Sequence, residues 1–142
     1  MTDWIVRWFE LAEHISTWSK DPRTKVGAVL VGADRREIAV GFNGFPRGVE
    51  DTEERLNNRS VKNALTQHAE RNVLDNARFD AKGGTLVVTF APCHECAKSI
   101  IDKGVARVIC PPSSQDPKWL ESFALSSELF DEAGVELLIF SK

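Results

Sequence analysis

Between Asp3 and about Ser19 the apolar side chains Trp4, Ile5, Trp8, Phe9, Ala12 and Ile15 recur at spacings of three and four, with polar residues between them. That period predicts an amphipathic helix, with Thr2 or Asp3 available as its cap. After the polar turn Ser19–Arg23 the pattern changes to the short apolar run Val26–Val31, bounded by turn residues, which predicts a strand. Ala33–Arg36 turns the chain and Glu37–Gly41 supplies a second strand, so the pair reads as a hairpin. A glycine-punctuated loop, Gly41 to Gly48, follows, and serves either as a connection or as a ligand-facing rim.

The polar stretch Asp51–Asn63 predicts loop plus a short helix, and the spacing of Leu65, His68, Ala69, Val73 and Leu74 predicts a longer helix over 64–77. Thr85–Phe90 has the length and β-branching of a buried strand. A helix is expected from Cys93 to Asp102, entered at Pro92 and stopped at Gly104. A strand over 105–110, a loop over 111–117, a helix over 119–131 and a last strand over 135–140 complete the chain. This order predicts a single α/β domain over residues 1–142, with helices covering a mixed sheet. No internal repeat, low-complexity segment or linker interrupts it.

The 142 residues suffice to bury one independent core. A formal charge of -3 gives no broad attractive field for a polyanion, so a nucleic-acid partner is not expected. The sequence opens on no signal-like segment, and no apolar run approaches the roughly 20 residues that span a bilayer. A soluble, cytoplasmic protein without a membrane partner is therefore expected. Three cysteines make a poor disulfide framework. Cys110 sits in an apolar run and reads as a buried structural thiol.

The candidate chemistry is split between His68-Ala69-Glu70 and Pro92-Cys93-His94-Glu95-Cys96. Taken alone, the C-x-x-C pair is shared among metal sites, redox thiols and coincidence. Combined with His68 it supplies three zinc ligands, His68, Cys93 and Cys96, and leaves a tetrahedral ion one position for water. Glu70, two residues from His68, can reach that water without binding the metal and can carry its proton. His94 and Glu95 adjoin the ligands and read as surface or supporting residues.

His-x-Glu followed by Pro-Cys-x-x-Cys is the signature of zinc deaminases, in which activated water attacks a ring carbon and ammonia leaves. The chain further resembles the deoxycytidylate deaminase family. The similarity extends over nearly the whole chain and includes Asp21-Pro22-Arg23-Thr24-Lys25-Val26-Gly27-Ala28 and Gly41-Phe42-Asn43-Gly44-Phe45-Pro46-Arg47-Gly48. The resemblance implies a three-layer α/β/α sandwich around a mixed five-stranded sheet, a zinc cofactor, and hydrolysis of dCMP to dUMP with Glu70 as proton carrier. It implies that Asn43 meets the deoxyribose hydroxyl and that the Ala69 backbone N–H meets the pyrimidine O2. Phe42, where relatives commonly have Tyr, retains a ring-packing role. It also implies a closed homo-oligomer, a hexamer with dimer or tetramer as alternatives. The aromatic residues Trp4, Trp8, Phe9, Trp18, Trp119 and Phe123 serve either to fill the core, as most are expected to, or to bury their helices against sister subunits.

A phosphate needs cations, and Arg23, Lys25 and Arg47 flank the expected pocket in sequence, ahead of Arg59 and Lys62 in the polar stretch. For each, a solvated surface position is the competing assignment. Lacking an extra Cys or His before His68, the sequence gives no second zinc set. Two alternatives stay open: a deaminase of another free cytosine nucleotide, nucleoside or modified base, and a non-catalytic module held together by a closed zinc site.

Overall fold

The computed structural model describes residues 2–142, the side chains of Thr2 and Asp3 excepted, so the expected cap of the first helix lies outside the described side chains. Helix α1 (Thr2–Ser16) leads into strands β1 (Gly27–Val31) and β2 (Ile38–Phe42). Helices α2 (Glu53–Asn57), α3 (Arg59–Leu65) and α4 (Ala69–Asn76) follow, then β3 (Thr85–Val88), α5 (His94–Asp102), β4 (Arg107–Cys110), α6 (Pro117–Ala133) and β5 (Glu136–Ile139). The strands form one five-stranded sheet in the order β2-β1-β3-β4-β5. β1 is antiparallel to both β2 and β3, whereas β3, β4 and β5 run parallel, which makes the sheet mixed.

Alternation along the strands builds two cores. Ala28, Leu30, Leu86, Val88 and Val108 face α4, α5 and α6, where Val73, Ala97, Ile100 and Phe130 meet them. Val29, Val31, Val87 and Ile109 point to the opposite face, against Trp8, Phe9 and Ala12 of α1. A side-chain period of two thus gives a three-layer α/β/α arrangement, as the resemblance implies. The contact of α4 with the sheet is close enough to demand glycine. A Cβ on Gly41 would stand 2.6 Å from the Val73 nitrogen, so β2 and α4 could not approach if any other residue stood there.

Several boundaries differ from the sequence expectation. The helix expected over 64–77 is broken: Gln67 leaves helical geometry to exchange backbone hydrogen bonds with Gly44, N to O at 2.8 Å and O to N at 3.1 Å. The Thr66 hydroxyl closes the preceding helix by donating to the Lys62 carbonyl at 2.7 Å. The polar stretch holds two short helices, α2 and α3, where one was expected. Thr52 and Asn58 cap them by accepting from the Arg55 and Val61 N–H groups. α1 ends at Ser16 because Thr17, Trp18 and Ser19 donate to carbonyls three residues back, a tighter winding than the α-helix. β3 stops at Val88, and Thr89 turns to donate to the Gly27 carbonyl at 3.0 Å. α6 begins at Pro117 under the Asp116 cap and closes on left-handed Gly134, at φ 77°. Among the described residues no helix is long and apolar enough to cross a membrane.

Candidate active site

His68 and Cys93 occupy equivalent places in the fold. Each is the extended N-cap residue of a helix, His68 of α4 at φ -69° and ψ 152°, Cys93 of α5 at φ -73° and ψ 165°. Neither side chain makes a capping hydrogen bond to its helix. Cys96 lies on the first turn of α5, buried. The positive ends of two helices therefore converge on one point, which favours negative charge there.

His68 Nδ1 lies 3.1 Å from Cys96 Sγ and 3.6 Å from Cys93 Sγ. The three donor atoms all fall within 4.8 Å of one another, and among the described residues they form the one His/Cys/carboxylate group with that spacing. Zinc at about 2.3 Å from sulfur and about 2.0 Å from nitrogen spaces tetrahedral donors by roughly 3.5 Å, so a neutral imidazole and two sulfurs fit the ion in both chemistry and separation. The three donors are also coupled to one another electrostatically. The Cys93 thiol is brought down to about 4, mainly because the Cys96 thiol hydrogen-bonds to it, with His68 adding to the effect. Cys96, which keeps the proton in that pair, is raised by the same bond and by burial. His68 is raised by its hydrogen bond to Cys93, against the effect of burial.

Glu70 is buried on the first turn of α4. Burial pushes its carboxyl up to about 7, against the lowering influence of His68 and of its own backbone N–H. Ala69, the first residue of α4, has an N–H with no intrahelical acceptor. Both line a cavity of about 680 Å³ together with His68 and Cys93. Its lining includes apolar surface, where Phe90 meets Trp119 edge-on at 5.5 Å between ring centroids beside Leu125. It also includes charged and polar side chains, among them Asp21, Arg23, Arg59, Lys62 and Lys118.

The structure brings together most, though not all, of the sequence candidates. His68, Ala69, Glu70, Cys93, Asn43 and Arg23 line the cavity with Arg59 and Lys62. Lys25, Phe42 and Arg47 do not. Lys25 donates to the Ser19 carbonyl at 2.6 Å, and Phe42 packs edge-on against Trp18 at 6.1 Å. Arg47 borders a separate groove beside Glu37, Asp75 and Arg78. Position along the chain does not decide which cations line the cavity: Lys25 and Arg59 stand at similar distances from Asn43 in sequence, and of the two Arg59 lines it.

Asn43 organises the rim. Its Oδ1 accepts from the Val26 N–H at 2.8 Å, its Nδ2 donates to the Thr24 carbonyl at 2.9 Å, and its own carbonyl accepts from Ser19 Oγ at 2.9 Å. Asn43→Ala is expected to cost about 2 kcal/mol of stability in urea denaturation, because a buried N–H and carbonyl lose their partners. Zinc content should persist and KM should rise.

Some supporting residues escape a motif search. The buried hydroxyls of Ser122 and Ser126 secure the ligand turn from α6: Ser126 donates to the Pro92 carbonyl at 2.8 Å, and Ser122 accepts from the His94 N–H at 3.0 Å. His94 Nδ1 also faces Ser122 Oγ, at 2.8 Å. The signal in the sequence is a pair of serines four residues apart on the core face of a helix.

The family model for the cytidine and deoxycytidylate deaminase zinc-binding region matches residues 2–111. The chain belongs to this family. It is 40% identical over 139 residues to an uncharacterized deaminase in the luxG 3′ region of Aliivibrio fischeri, covering 96% of this chain and 93% of that one. With the deoxycytidylate deaminase of Pongo abelii it shares 36% identity over 126 residues, 82% of this chain and 68% of the relative. Among solved structures it is similar to the dCMP deaminase of cyanophage S-TIM5 in complex with dCMP and dUMP. There the TM-score is 0.78, with 26% identity over 99% of this chain and 98% of that one. As a member of the zinc-binding deaminase family, the chain is a zinc-dependent deaminase acting on a cyclic amidine, and His68, Cys93 and Cys96 form the cluster that suits its metal.

Proposed function

We propose that the chain hydrolyses dCMP to dUMP and ammonia. The observation that carries this reading is one cavity lined by the metal donors His68 and Cys93, by Glu70, and by the guanidinium-bearing Arg23 and Arg59. A cavity of about 680 Å³ falls within the range that encloses small ligands. Its lining supplies what the parts of a nucleotide need: aromatic surface at Phe90 and Trp119 for a ring, Asn43 for a sugar hydroxyl, and guanidinium groups for a phosphate. Relatives named as deoxycytidylate deaminases support the same substrate.

His68, Cys93 and Cys96 would hold zinc, which when bound would supply Lewis acidity to lower the pKa of a water molecule toward neutrality. The Ala69 N–H donates to the pyrimidine O2 and fixes the ring in the cavity. Glu70 takes the proton released as water oxygen bonds to C4 and delivers it to N3. A further proton passes through Glu70 to the exocyclic amine, the C4–N bond breaks, and ammonia leaves as the C4 carbonyl forms.

Ammonia release from dCMP, CMP, dCTP, deoxycytidine and cytidine by zinc-loaded protein tests the substrate. A kcat/KM for dCMP at least about tenfold above that for deoxycytidine is expected from guanidinium contacts to phosphate. Equal values would reject phosphate recognition, and turnover confined to another substrate would redraw the pocket. We further infer a cytoplasmic homo-oligomer, a hexamer with dimer or tetramer as alternatives, supported by the exposed Trp4, Trp18, Leu120, Leu125 and Ile139.

A further inference from the structure

Helices α2 and α3 are attached to the body in an unusual way. No residue of α2 is buried, and the one buried residue of α3 is a lysine, Lys62. Among the described residues the two helices pack against each other and against no other helix or strand. The segment therefore contributes nothing apolar to the core, although Arg59, Lys62 and Asn63 of α3 form one lip of the active-site cavity.

What holds it is a buried ion pair. Lys62 Nζ lies 2.9 Å from Asp21 Oδ1, with the two side chains 6% and 8% exposed. The same oxygen accepts from the Arg23 and Thr24 N–H groups at 2.9 and 3.0 Å, which ties the opposite lip to the same atom. Burial opposes ionisation of Asp21, but the Thr24 N–H, the Lys62 ammonium and the Arg23 N–H outweigh it and hold the carboxyl below its usual range. The other side-chain ion pair reaching the segment's approach, Lys20 to Asp51 at 3.0 Å, is solvent-exposed and weak.

We propose that the Asp21–Lys62 pair is a latch that holds α2 and α3 closed over the cavity and so sets Arg59 across from Arg23. The second half of this statement rests on the phosphate reading above. An apolar residue at position 62 would dock the segment through area alone. A lysine docks it at one point and in one geometry, and its Coulomb gain is largely offset by desolvation, so the closure is reversible. Arg59 lies one helical turn before Lys62, and Arg23 lies two residues after Asp21. Closing the latch therefore places one guanidinium on each lip of the same cavity.

Hydrogen exchange of the intact zinc-loaded protein, without substrate, tests the latch directly. In Lys62→Ala and in Asp21→Asn the amides of residues 59–66 should exchange at least about tenfold faster, with the sheet and α4 to α6 unchanged. The double variant should be no worse than the more affected single one, as expected when two residues act as a unit. In steady-state assays kcat/KM for dCMP should fall about tenfold relative to that for deoxycytidine, through KM, with zinc content retained. Unchanged exchange over 59–66 in both single variants would overturn the latch. Faster exchange with an unaltered substrate ratio would overturn its role in placing Arg59. Wild-type protein that does not prefer dCMP would sink the phosphate reading alone, leaving exchange to judge the latch.

Discussion

Glu70→Gln is expected to keep the fold and the zinc and to lose about 10³-fold in kcat. Glutamine preserves the volume and the hydrogen-bonding outline of the side chain, so a buried position on the first turn of α4 tolerates it sterically. What it cannot do is gain and lose a proton. The native carboxyl is poised for that: burial raises it to about 7, and the neighbouring His68 and its own N–H act against the rise. A bound cation beside it would favour the carboxylate, the form that accepts a proton from water. Metal analysis, thermal melting and ammonia release on the same preparation separate the outcomes. Retained zinc with near-normal turnover would remove Glu70 from proton transfer, whereas lost zinc would show that it supports the ligands instead.

The chemistry was legible in the sequence because each of its parts is local. His68-Ala69-Glu70 and Pro92-Cys93-His94-Glu95-Cys96 each mark the entry of a helix, and an N-cap followed by one turn places side chains by short-range geometry. The layer order was legible for a similar reason, since alternating positions in β1 and β3 sort onto two faces whatever else the chain does. The break before His68 was not legible. Its apolar spacing is helical, and only the pairing of Gln67 with Gly44, more than twenty residues away, pulls the backbone out. Without that break His68 would stand inside a helix instead of at its cap.

The cationic lining of the cavity was not legible for the same physical reason. Arg47 lies close after Asn43 along the chain but borders a separate groove, and Lys25 turns to the Ser19 carbonyl. Arg59 and Lys62 sit in a polar stretch whose pattern shows no buried face, and the one buried position is a lysine whose partner is forty-one residues away. Apolar periodicity cannot reveal a helix docked by charge. Asp21 offered a faint signal, a carboxylate before Pro22 in a turn, but turns of that kind are common on surfaces.

Cys96→Ala is expected to abolish activity and to release the metal, and its stability signature distinguishes a ligand from a core residue. Cys96 is buried, with its sulfur 3.1 Å from His68 Nδ1, so alanine removes both a donor and some packing. Zinc binds the folded chain and stabilises it by linkage, by about 2.7 kcal/mol when free metal is at 100 times its Kd. For a domain of this size that corresponds to a Tm shift of roughly 10 °C. Chelator should therefore lower the wild-type Tm by about that amount and leave the Cys96→Ala Tm unmoved. Cys110→Ala provides the contrast. That thiol is also fully buried, but burial, with the Glu70 carboxylate adding to it, pushes it up to about 12, and it lies outside the cluster of donors. Its loss should cost about 1 kcal/mol of packing while zinc content and the chelator response stay as in the native chain. A Cys96→Ala variant that keeps its zinc and its chelator-sensitive Tm would place the third ligand elsewhere. Equal loss of zinc in Cys110→Ala would mean that stability of the fold, not donor identity, governs metal retention.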